Sequence, residues 1–205
     1  MSSQATLDAS TILDPLRVWS SVLSALAQLP TDVAALRGLD EKTLLAINDM
    51  QAQAARRLGA GGALIAGEVA HRSRPALGMS GLAQRTGFRT PERLLTQTTG
   101  ITKQQAKTAL AAGTLIAEIT DDGTVDEVTG EVLAPTQPWL RSVAVAASTG
   151  RISTSAAQAI GIGLGSPNSA VTSQQLEGAA SRLVDEVIAG VDADRIWKRA
   201  RDARD

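Results

Sequence analysis

Between His71 and Lys107 the chain places seven bases, Arg72, Arg74, Arg85, Arg89, Arg93, Lys103 and Lys107, against the single acid Glu92. Such one-sided charge suits an anionic partner, above all nucleic acid, whose phosphates Lys and Arg neutralise. A competing use is internal. From Glu118 to Gln137 stand six acids and no base: Glu118, Asp121, Asp122, Asp126, Glu127 and Glu131. The basic run could face these acids or simply solvate its own helices. Inside it, Leu94-Leu95, Gly100, Ala106 and Ala109 have the spacing of two helices joined by a tight turn. In a DNA-binding helix-turn-helix the second helix enters the major groove by its N-terminal residues. Here those are Lys103, Gln104 and Lys107. Gln pairs with adenine edges, and Lys with guanine or phosphate. Arg85, Arg89 and Arg93 complete the candidate DNA-binding set, although the same spacing also serves plain helix packing.

Other constellations fall short of a chemistry. Glu68 and His71 have the E-x-x-H spacing of helical di-metal sites, but those sites need two such pairs, and His71 is the single histidine. Gly161, Gly163 and Gly165 resemble a phosphate loop without its preceding strand or its closing Lys-Ser/Thr, and read better as a fraying helix end. The acids of the 118–137 segment do not follow the EF-hand pattern. A serine triad lacks a base, since His71 has no partner pattern near it. No catalytic residue, no metal site and no cofactor site is expected.

The elements that would position the basic set are helical. Alanine is abundant and strand-type alternation almost missing. Asp14-Pro15 opens a first helix with apolar Leu16, Trp19, Val22, Leu23 and Leu26; Pro30 follows it. Asp40 caps a long amphipathic helix reaching about Arg72, with a weak point at Gly59, Gly61 and Gly62 that is either a kink or a close helix contact. Ser80 opens a short helix ending at Gly87, and Thr90-Pro91 caps another ending at Gly100. Thr102 and Gln105 form a capping box for the next. Thr99-Gly100-Ile101-Thr102 and Thr149-Gly150-Arg151-Ile152-Ser153 share one grammar: a left-handed glycine ends a helix, an apolar residue tucks in, and a hydroxyl caps the next helix. The acidic stretch about 118–137 reads as an irregular insert with a two-strand ribbon around Val125 to Val132. Beyond it, helices are expected over Pro138 to Thr149, over Ser153 to Leu164, from Thr172 or Ser173 to Gly190, and from Asp192 onward, the last with Ile196, Trp197 and Ala200 on one side.

The expected fold class is therefore all-α: about eight or nine helices, one of them long. Residues 1–38 form an extension with one helix, and residues 39–205 the main helical domain. The 205 residues hold 43% apolar side chains, enough for a real core. A net charge of −1 excludes a uniformly basic coat. The absence of cysteine excludes disulfides, thiolate zinc sites and cysteine nucleophiles. Three tryptophans, one phenylalanine and no tyrosine leave few stacking platforms for single strands. No signal-peptide pattern opens the chain, and its longest wholly apolar run, Val143 to Ala147, is far below a membrane span, so the expectation is a cytoplasmic protein without membrane contact.

Several blocks occur in a telling order: Gly100-Ile-Thr-Lys-Gln-Gln-Ala106 with Leu115, Val128-Thr-Gly-Glu-Val-Leu133, Pro138-Trp-Leu140, Thr149-Gly-Arg-Ile-Ser153, Gly163-Leu-Gly-Ser-Pro167, and Leu176 to Asp205. Over residues 39 to 205 the chain resembles the N-terminal helical domain, domain of unknown function 222, of actinobacterial HNH-endonuclease-like proteins, related to the mycobacterial repeat-element family. The resemblance implies an all-helical domain encoded in an actinobacterium, its phage or a mobile element. In such proteins a nuclease module lies in cis, further along the chain. None of that module's catalytic residues can be assigned to this sequence. Two roles follow. One is a non-catalytic module that positions a nuclease on double-stranded DNA through the basic set. The other is a protein-interaction module, such as a homodimer built on the apolar stripe of the Asp40–Arg72 helix.

Overall fold

Side-chain oxygens set most helix starts in this chain. The computed structural model describes residues 14–29, 32–120 and 135–204. Among them are ten α-helices and no strand. They are α1 (Pro15–Leu26), α2 (Val33–Arg37), α3 (Glu41–His71), α4 (Leu82–Arg85), α5 (Pro91–Thr99), α6 (Lys103–Thr120), α7 (Arg141–Ser148), α8 (Thr154–Leu164), α9 (Ser173–Ile188) and α10 (Ala193–Asp202). The fold is all-α, with one long helix, as the sequence predicts. The Asp14 carboxylate accepts from the Leu16 N–H, Asp40 from Thr43, Thr90 from Arg93, Ser153 from Ala156 and Asp192 from Arg195. Thr102 with Gln105, and Thr172 with Gln175, close reciprocal capping boxes. The ribbon expected around Val125 to Val132, with Asp121, Asp122, Asp126, Glu127 and Glu131, lies outside the described residues. Of the acidic segment, Glu118 belongs to α6 and accepts a hydrogen bond from the Thr136 hydroxyl at 2.6 Å.

Two starts differ from expectation. The extension holds a second helix, α2, capped by the Asp32 carboxylate on the Ala34 N–H. Ser80 does not cap α4; its hydroxyl donates backward to the Leu77 carbonyl. The N-terminal donors of α4 are met by the segment leaving α3 instead: Leu82 N–H donates to the Arg72 carbonyl, and Ala83 N–H to the buried Ser73 hydroxyl at 3.1 Å. A cap supplied ten positions upstream leaves no local signature.

The chain divides into two compact units, Met1–Asn48 and Asp49–Asp205. The first holds α1, α2 and the opening turns of α3, and no described residue of it is buried. The second has a continuous core of Ile116, Leu140, Val143, Ile152, Ile160, Leu164, Leu176 and Ile196, contributed by α6 to α10 and the turns between them. A satellite cluster of Ala66, Leu95 and Ala106, with Val69, Ile101 and Leu110, ties α3 to the α5–α6 hairpin. Ile196 and Ala200 of α10 are buried, whereas Trp197 is 41% exposed, with the Arg201 guanidinium 5.0 Å over its ring. Gly163 of α8 lies against Ala200 and the Trp197 carbonyl, which leaves no room for an indole between the two helices.

Within α3 the glycines do not act where the sequence placed the weak point. The helix runs unbroken from Glu41 to His71. A methyl group on Gly59 or Gly62 would meet nothing within 4 Å. The close contact falls one to two turns later: a Cβ on Gly67 would lie 2.6 Å from the Gly113 carbonyl oxygen, and a Cβ on Gly113 would strike Gly67 and the Ala63 carbonyl. There α3 and α6 touch backbone to backbone.

Opposite mutational responses are expected. Gly59→Ala and Gly62→Ala each stabilise by up to about 1 kcal/mol, the helix-propensity gain in open space. Gly67→Ala and Gly113→Ala each destabilise by about 1–3 kcal/mol through overpacking. Denaturant unfolding followed by circular dichroism separates the two pairs. Thr43 holds the Asp40 carboxyl below its ordinary value, mainly by donating its hydroxyl; the Arg195 N–H does the same for Asp192. Both caps contribute fully above the unfolded carboxyl value near 3.8 and fade as pH falls through the lower folded value. Asp192→Asn keeps a cap and flattens that part of the acid limb in pH-dependent melts.

Candidate nucleic-acid interface

The α5–α6 hairpin is built by the turn that the sequence announces. Gly100 ends α5 in the left-handed region (φ 72°), and its N–H returns to the Thr96 carbonyl. Ile101 packs on the satellite cluster, and the Thr102–Gln105 capping box starts α6. Leu94, Leu95 and Ala106 are buried, which fixes the opposite faces of both helices outward. The first turns of α6 therefore expose Lys103 and Lys107, one helical turn apart on one face, and Arg93 is exposed on α5.

These three bases line one open cleft of about 830 Å³, with Gly87, Phe88, Thr90, Glu92, Thr96 and Gln97. The charge is three bases against the Glu92 carboxylate. Thr96 donates its hydroxyl to the Arg93 carbonyl, whereas the Thr90 hydroxyl only accepts, from the Arg93 N–H, so the side-chain donors facing an anion are Arg93, Lys103, Lys107, the Thr90 hydroxyl and the exposed Gln97 amide. Arg85, at the end of α4, and Arg89, in the following loop, are exposed but do not line the cleft. Gln104 turns elsewhere: it lines an apolar groove of about 490 Å³ with Gly59, Gly62, Ile65, Leu95, Ile101 and Ala109. The six residues predicted from sequence thus separate into three that share a cleft, two on the adjoining segment and one on a different face.

Among the described residues no carboxylate lies within ion-pair distance of Arg85, Arg89, Arg93, Lys103 or Lys107. Elsewhere bases do find acids: Arg72 pairs with Glu68 at 2.5 Å and Arg199 with Glu186 at 2.6 Å. The first of these pairs occupies the acid of the E-x-x-H spacing, and the His71 ring lies 3.1 Å from the Arg74 guanidinium. No group of three or more acids and histidines gathers to hold a metal ion among the described residues. None of their helices is long and apolar enough to cross a membrane.

Sequence reasoning missed the cleft's polar lining of Thr96 and Gln97, and a second concavity of about 590 Å³ where Trp197, Arg201, Arg204 and Asn168 meet. The signal for the first was the run Thr96-Gln97-Thr98-Thr99 on a short helix whose apolar pair is only Leu94-Leu95. The second depends on α10 crossing α8, which no local pattern encodes. Comparison with family models, curated proteins and solved structures finds no match for this chain.

Gly100→Ala is expected to cost about 1–2 kcal/mol, because a side chain is strained at this left-handed position. It should also loosen the α5–α6 turn, read as faster amide exchange at Ile101 and Thr102.

Proposed function

We propose that this chain is a non-catalytic, DNA-positioning module that grips duplex phosphates through Arg93, Lys103 and Lys107. The observation that carries the reading is the gathering of three exposed bases, with no carboxylate in ion-pair reach among the described residues, on the N-terminal turns of α5 and α6. A cluster of solvated cations at that spacing matches the demands of a phosphate backbone, for which many weak contacts sum to useful affinity. The helix-turn-helix spacing adds a mode of approach: α6 entering the major groove by its first turn, with Lys103 and Lys107 forward. Arg85 and Arg89 extend the basic surface towards flanking phosphates. Gln104 lines another cavity, so base reading by Gln104 forms no part of the proposal. The resemblance to the helical domain of HNH-endonuclease-like proteins supplies the biological setting, in which the module would hold DNA for a nuclease carried in cis.

Fluorescence anisotropy of labelled duplex DNA tests this. Neutralising about three phosphates should give a log–log salt slope near −2.7, hence a loss of affinity of roughly 100-fold between about 50 and 300 mM salt. Arg93→Glu/Lys103→Glu/Lys107→Glu should abolish binding, while Arg201→Glu, in the other concavity, should leave it within about twofold. No binding at the lowest salt, or binding that survives the triple change, overturns the proposal.

A further inference from the structure

Where α10 crosses α8, the concavity of about 590 Å³ gathers Trp197, Arg201 and Arg204 with Ile162, Asn168 and Val171. Its two guanidinium groups leave one helical turn, since the Arg204 N–H donates to the Arg201 carbonyl at 3.0 Å. The same helix pairs Arg195 with Asp192 and Arg199 with Glu186. Among the described residues no carboxylate lies within ion-pair distance of Arg201 or Arg204, and none lines the concavity. Arg204 is half-buried, and bare backbone makes room for it: a Cβ on Gly165 would strike its guanidinium. Gly165 holds φ 60° and ψ −146°, a conformation essentially confined to glycine, while its carbonyl accepts from the Trp139 indole at 3.2 Å. A guanidinium drawn part-way out of water without a counter-charge carries a desolvation cost that a bound anion offsets.

The neighbours narrow the anion. The Asn168 side-chain carbonyl accepts from the Ala170 and Val171 N–H groups at 2.8 and 2.9 Å, so its NH2 end is the one left to donate. Two cations and this third donor match a phosphate monoester, with its charge of about −1.5 to −2 at neutral pH, better than a singly charged carboxylate. The rest of the wall is apolar. Trp197 is 41% exposed, with Arg201 over its ring, and Ile162 is 62% exposed. Such a wall does nothing for a bare inorganic ion and suits a phosphate joined to a planar body. The volume falls in the range of roughly 300–1,000 Å³ typical of small-molecule sites. We propose that this concavity binds a small phosphate monoester of the nucleoside monophosphate class, its phosphate on Arg201 and Arg204 and its planar body against Trp197 and Ile162.

The concavity shares no residue with the basic cleft, so the test is independent of DNA positioning. Isothermal titration of the full chain with adenosine monophosphate or phenyl phosphate should give saturable binding with a Kd below ~1 mM. Adenosine and inorganic phosphate should each bind at least ~10-fold more weakly, because each lacks one half of the contact. Arg204→Gln, and Arg201→Gln at an exposed position that folding does not need, should each weaken the ester at least ~10-fold with an unchanged melt. Arg93→Glu/Lys103→Glu/Lys107→Glu should leave it within about twofold, as for distant sites. A 5′-phosphorylated tetrathymidylate distinguishes the source of the phosphate. Binding equal to that of its 5′-hydroxyl form assigns the site to free nucleotides; tighter binding that Arg201→Gln removes assigns it to strand ends. No saturable binding of either ester, adenosine binding as tightly as its monophosphate, or binding lost in the triple variant and kept in Arg201→Gln overturns the proposal.

Discussion

The contact of α3 with α6 at Gly67 and Gly113 is the constraint on which the placement of the α5–α6 hairpin depends. With no side chain on either residue, the two backbones meet directly, and Ala63, Ala66 and Ala106 close around the crossing. That proximity brings α3 against the α5–α6 hairpin and creates the satellite cluster. The cluster in turn commits Leu95 and Ala106 inward, which leaves Arg93, Lys103 and Lys107 outward. A basic cleft on this protein is thus a by-product of two missing methyl groups several residues away.

Local signals carried most of the fold. Caps at Asp14, Asp40, Thr90, Thr102, Ser153 and Asp192 were legible, and that of α9 to within the pair Thr172 or Ser173, because donor and acceptor lie within three residues of each other. The Thr-Gly grammar was legible for the same reason: Gly100 and Gly150 both take positive φ, and Ile152 is buried. What escaped was non-local. Gly59 and Gly62 look like a helix-packing motif, yet Gly67 pairs with a glycine 46 positions away in another helix. The choice among the α3 glycines depends on rotation about the helix axis, which the apolar stripe defines only to within a residue or so. Trp197, expected on the same side of α10 as Ile196 and Ala200, is 41% exposed while those two are buried, because Gly163 brings α8 too close to α10.

The candidate site was legible as a composition and illegible as a place. Counting charges found the basic segment. It could not say that Gln104 faces an apolar groove or that Arg85 and Arg89 stand apart from the cleft. Charged side chains on short helices solvate many faces equally well, so their grouping follows from how the apolar pairs beneath them pack.

Half of the buried apolar residues described here are alanines, 14 of the 28. A core of this kind is held by close backbone approach rather than by interlocking large side chains. Alanine can lose little by mutation and can gain only by colliding with a neighbour. The interior is therefore nearly closed to drift in both directions, and related sequences would diverge chiefly at their surfaces. In such a lineage the exposed bases and leucines would keep the record of changing partners, while the small residues beneath them would keep the record of common descent.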